Sequence, residues 1–107
     1  MKLFNRNATP NALVVPVDLR PAVSIAELKP RSPAHIRGTV VRIRTIPRTG
    51  LPSLAATIED ETGRVVAIWS GRRAIGGVTL GRHIDLHGIA VEGRHELEFH
   101  NPEYTLR

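Results

Sequence analysis

The chain contains no cysteine, only four aromatic residues of the Phe, Trp and Tyr types, and only two lysines among its fifteen basic residues. Each scarcity excludes something. Without thiols there is no disulfide framework and no thiolate metal site, a composition compatible with a reducing cytoplasm. With so few rings the core must be aliphatic, and any surface built for stacking bases is restricted to one or two positions. Long apolar runs are missing too. Ala12–Val17 is interrupted by Pro16 and is too short for a signal core or a membrane span, so a cytoplasmic protein without membrane association is expected. No GxxxxGK[ST] phosphate loop occurs, which excludes a nucleotide-driven motor of that type.

What is present is arginine. The chain has 107 residues and a net charge of +5, and thirteen of its basic groups are arginines. The planar guanidinium suits phosphates, and its face stacks on bases. The charge is also polarised: residues 1–50 sum to +7 and residues 51–107 to −2. Such asymmetry points to a polyanion or an acidic partner.

The length fits one domain preceded by an arm. Residues 1–33 hold five of the eight prolines, which rules out a long helix or a central strand there. Within this arm Ser24 and Glu27 have capping-box spacing, so one short helical turn is expected before Pro30. Residues 34–107 change to alternating apolar and polar positions broken by turn signals, the pattern of successive strands.

Five strands can be drawn. The first, about His35–Ile46, switches parity at Val40 and Val41, which requires a bulge or sharp bend and leaves Arg42 and Arg44 facing outward. Leu54–Glu59 forms the second. The turn EDETG leads to the third, Arg64–Trp69, in which Val65, Ala67 and Trp69 alternate with Val66 and Ile68, so both faces are apolar. Ser70–Leu80 reads as a short helical turn plus loop. The fourth strand opens at Gly81 with Ile84 and Leu86 inward, and the fifth carries Leu97 and Phe99 and stops at Asn101–Pro102. This is an all-β pattern matching a five-stranded Greek-key OB-fold barrel, with its one long connection between strands three and four.

The segments GTVVRI, LAATIEDETGRVVAIWSG, LGRHIDLHGIA and LEFHNPEY resemble the OB domain that forms the wedge of RecG-type helicases, and small stand-alone OB-fold proteins of actinobacteria. The resemblance covers about Ile36 to Leu106. It implies a bacterial DNA-binding module, most naturally for single-stranded or branched DNA, with RNA as a close variant.

OB-folds bind oligonucleotides across strands two and three, flanked by the loops joining strands one to two and four to five. The candidate nucleic-acid-binding residues are therefore Arg42, Arg44 and Arg48 around the first of those loops, Arg94 in the second, and Arg72 and Arg73 after strand three. Trp69 completes the set on one of two readings, a core residue or a base platform; the alternation puts it with Val65 and Ala67, and only a twist at the strand end turns it outward. Tyr104 is the other ring in reach, and packing of the chain end against the barrel is expected of it ahead of stacking.

Catalysis finds no support in the sequence. His83 and His87 have the spacing of a helical metal pair, but on a strand they lie about 13 Å apart at about 3.3 Å per residue. Ser70 has no neighbouring base, and Glu59–Asp60–Glu61 reads as a solvated turn rather than a cation site. No cofactor, metal or enzymatic activity is expected. The competing class is a protein-interaction module that docks on a partner through the Val66 and Ile68 face and the proline-rich arm.

Overall fold

Gly38 packs against Ile58 and the backbone of Glu59 so closely that it must be glycine: a Cβ there would meet the Glu59 carbonyl oxygen at 2.6 Å and Ile58 Cγ2 at 2.8 Å. This approach lets one long strand serve two neighbours. In the computed structural model, which describes residues 20–47 and 51–107, β1 (Pro33–Ile46) pairs with β4 (His83–Glu92) through Pro33–Thr39 and with β2 (Ser53–Glu59) through Thr39–Ile46. The register slips between Val40 and Arg42, so Val41 is the extra residue of a bulge. Beyond it the outward parity passes to Arg42 and Arg44, as the apolar pattern predicts.

β2 pairs with β3 (Arg64–Ser70), and β3 pairs in parallel with β5 (Leu97–His100). β5 pairs with β4, which returns to β1 and closes a ring in the order β1-β2-β3-β5-β4. The architecture is all-β, with six strands among the described residues where sequence reading draws five. The sixth, β6 (Glu103–Leu106), continues along β4 from Ile84↔Leu106 to His87↔Glu103. Sequence reading stopped at Asn101–Pro102 because these residues do break the ladder: Asn101 takes φ 52° and Pro102 has no N–H to donate. The break is local. Asn101 N–H bonds to the Ile68 carbonyl at 2.7 Å, its side-chain oxygen accepts from Ser70 N–H at 2.9 Å, and the chain resumes pairing.

The helical turn expected between strands three and four is also absent. Gly71, Gly77 and Gly81 adopt φ of +74°, +83° and +83°, a region that no right-handed helix passes through. The connection is instead a chain of turns, in which Val78 N–H bonds to the Ile75 carbonyl and both side chains plug the core.

The short helical turn expected in the arm forms as a 3-10 turn at Ile25–Glu27. The acidic hairpin tip fixes it: Asp60 Oδ2 accepts from Ile25 N–H at 2.9 Å, and Thr62 Oγ1 accepts from Ala26 N–H at 3.0 Å. The other Asp60 oxygen takes the N–H groups of Thr62 and Gly63 and the Thr62 hydroxyl. Burial alone would raise the Asp60 pKa; these bonds outweigh it and hold the carboxyl below its usual range. Asp60 is thus the organiser of the tip. Ile25 joins the core and Val23 bridges Ile36, so the described part of the arm packs onto the ring.

The core is aliphatic apart from Phe99 and Trp69, with Ile36, Ile58, Val65, Ile84 and Leu86 at 0% exposure. A second, smaller cluster of Ala55, Val66 and Ile68 lies on the outer face of β2 and β3, with Ile46 of β1 packed against it. Among the described residues no helix is long and apolar enough to cross a membrane.

Candidate nucleic-acid interface

That outer cluster is the floor of a groove. One wall is the second half of β1, with Val41, Arg42, Arg44 and Ile46; the floor is Thr57 on β2 and Val66 and Ile68 on β3. Arg64 stands at the start of β3, and Arg94, His95, Glu96 and Glu98 close the far side. The β1 bulge is what brings Arg42 and Arg44 here, because a one-residue slip exchanges the two faces of a strand.

Three of the candidate residues, Arg42, Arg44 and Arg94, therefore meet in one place. None of the three has an ion-pair partner among the described residues. Arg72 and Arg73 are exposed in the loop after β3 and do not line the groove. Arg48 lies outside the described residues.

Trp69 is not a stacking surface. It is 6% exposed, its Nε1 donates to the Pro102 carbonyl at 3.0 Å, and Tyr104 packs against it edge-on with centroids 5.7 Å apart. The reason is register. The β2–β3 ladder runs without a slip from Glu59↔Arg64 to Ser53↔Ser70, so nothing turns the end of β3 and Trp69 stays on the side of Val65 and Ala67. Since Trp69 is the chain's only tryptophan, its fluorescence reports this directly. We expect blue-shifted emission that a saturating oligonucleotide leaves unquenched; strong quenching would return the ring to the interface.

Arg64 escaped sequence reading as a site residue. The signal was available in the parity of β3, which sets Arg64 with Val66 and Ile68 on the outer face. Its Nε donates to Glu59 Oε2 at 2.8 Å, which leaves other N–H groups of the guanidinium for a ligand. Glu96 and Glu98 also lie in the groove itself. Glu98 Oε1 accepts from His100 Nε2 at 2.9 Å. Four arginines face two glutamates, so the groove remains net basic. Among the described residues no Phe, Tyr or Trp side chain lines it; the lining is an aliphatic floor with Thr57, surrounded by guanidinium, imidazole and carboxylate groups.

Where β1 pairs with β4, an ion-pair network gathers around a buried carboxylate. Asp85 on β4 is 1% exposed and accepts from Arg37 at 2.8 and 3.1 Å, from Arg107 at 3.1 and 2.9 Å and from His35 Nε2 at 2.8 Å. Burial pushes the Asp85 carboxyl up, but the bonds from Arg37, Arg107 and His35 dominate and hold it far below the carboxylate range. His87 stacks on His35 with ring centroids 4.2 Å apart. One ligand-type atom from each of His35, Asp85 and His87 lies within 4.8 Å of the others. A metal ion there would share the Asp85 oxygens with two guanidiniums fixed at hydrogen-bond distance, so these groups serve the network. Sequence reading set His83 and His87 too far apart on their strand to act as a pair; the residue that does face His87 is His35, directly across the β1–β4 ladder.

A scan of protein-family models found no match to the chain, and a search of curated proteins found none either.

Proposed function

We propose that the chain is a non-catalytic nucleic-acid-binding module on a five-stranded OB-fold barrel extended by β6, which takes single-stranded or branched DNA in the Arg42–Arg44–Arg64–Arg94 groove. The observation that carries this reading is the convergence of four arginines from three separate parts of the chain over an apolar floor on β2 and β3. The ring order, the bent first strand and the long β3–β4 connection support the fold assignment. Guanidinium groups supply phosphate contacts and stack on bases in place of aromatic rings. RNA meets the same chemistry.

Binding of labelled single-stranded DNA, single-stranded RNA, duplex and forked oligonucleotides, followed by fluorescence anisotropy, tests the proposal. At ~50 mM salt the single-stranded and forked DNAs bind, and affinity falls steeply as salt rises. Absence of binding to every single-stranded probe at that salt rejects it. Glu96 and Glu98 within the groove, beside Val66 and Ile68, favour the second reading, a docking face for a protein partner of mixed charge; that reading takes over if the probes fail.

A further inference from the structure

His35 has a buried ring with acceptors at both nitrogens. Nδ1 lies 2.7 Å from the carbonyl oxygen of Arg20, and Nε2 lies 2.8 Å from Asp85 Oδ2. A backbone carbonyl has no proton to give. Asp85 has none either, since both its oxygens receive N–H bonds from Arg37 and Arg107. A neutral imidazole carries one N–H, so it satisfies one of these two contacts and sets a lone pair against the other; both are made only when both nitrogens are protonated.

We propose that His35 is an imidazolium in the folded protein and that its second proton latches the backbone at Arg20 onto the ring of strands.

The groups around it set the direction. Asp85 on β4 favours the charge; Arg37 on β1, Arg107 following β6, and burial oppose it, while His87 on β4 stacks on the ring face. When the ring gives up a proton, the N–H that faces the carboxylate is the one retained, because that bond is charge-assisted. Nδ1 then presents a lone pair to the Arg20 carbonyl, and the repulsion falls on the segment. Its next ties are Val23 N–H to the His35 carbonyl at 2.8 Å and Ile25 N–H to Asp60. Ala22, Val23 and Ser24 form one wall of a groove whose other side holds Arg37 and Arg107. Seating of that wall therefore depends on the second proton of His35.

Nitrogen-15 NMR of the full chain across pH tests this. Below the His35 transition the ring shows two protonated nitrogens. Raising the pH removes the Nδ1 proton, and the protection factor of the Val23 amide falls roughly tenfold, the scale of one charge-assisted hydrogen bond. Amides in the β2–β3 ladder do not follow. In His35→Gln the pH dependence of Val23 protection disappears; if that variant does not fold, the wild-type ring shifts and amides decide alone. A single protonated ring nitrogen at every pH where the chain is folded overturns the proposal, and so does a His35 titration that leaves Val23 unchanged.

Discussion

Replacing Arg42, Arg44 and Arg94 together by glutamine lowers the affinity for a single-stranded oligonucleotide by roughly two to three orders of magnitude at ~50 mM salt, and the loss closes as salt approaches ~1 M. Each phosphate contact to a single strand contributes about 0.7 to the slope of log affinity against log salt, so removing three flattens that slope by about 2. Stability should change little. All three side chains are exposed and unpaired among the described residues, and surface substitutions of that kind stay within about 0.5 kcal/mol. Arg72→Gln with Arg73→Gln is the informative control, because these residues carry the same charge outside the groove. If the control flattens the slope as much as the triple variant, the ligand follows the β3–β4 loop and the groove assignment fails. An unchanged slope in both rejects arginine–phosphate contact as the basis of binding.

The groove was legible in the sequence wherever local alternation decides the outcome. The parity switch at Val40–Val41 announces the bulge, and the bulge determines which face Arg42 and Arg44 occupy. The doubly apolar β3 likewise announces a core face and a second, covered face. Trp69 was ambiguous because its direction depends on whether the β2–β3 ladder slips at its end, a property of the pairing and not of the strand. β6 was hidden by a real break: Asn101 and Pro102 are correct stop signals, and the resumption of pairing is driven by β4, which lies far back in the chain. Least visible was the Asp85 network. Asp85 and His87 alternate with Ile84 and Leu86 as though they faced solvent. They are buried because β1 and the end of β6 bring His35, Arg37 and Arg107 to them, and nothing local records that meeting.

Asp85→Asn destabilises the fold by about 3 kcal/mol at neutral pH, seen as a lower denaturant midpoint at an unchanged slope. Removing one member of a buried ion-pair set costs about 3–5 kcal/mol because the remaining charges lose their counter-ion. The lower figure applies here because Arg37 and Arg107 are about half exposed and recover hydration. The asparagine amide makes matters worse on one side, since its NH2 group faces N–H donors where Asp85 offered an oxygen. Against a typical total of about 5–15 kcal/mol this is a large fraction, so the variant melts well below the wild type. The pH dependence follows from the same bonds. The folded-state pKa of Asp85 is depressed below its unfolded value, which for an aspartate is about 3.9. The stabilisation is therefore complete at neutral pH, begins to fade as pH falls towards about 4 and continues to fade below it as the folded carboxyl is protonated. Asp85→Asn removes that group from the titration, so the gap between wild type and variant narrows in acid. A gap that stays constant from pH 7 to pH 3 would show that the ionised carboxylate is not what holds β1, β4 and the end of β6 together.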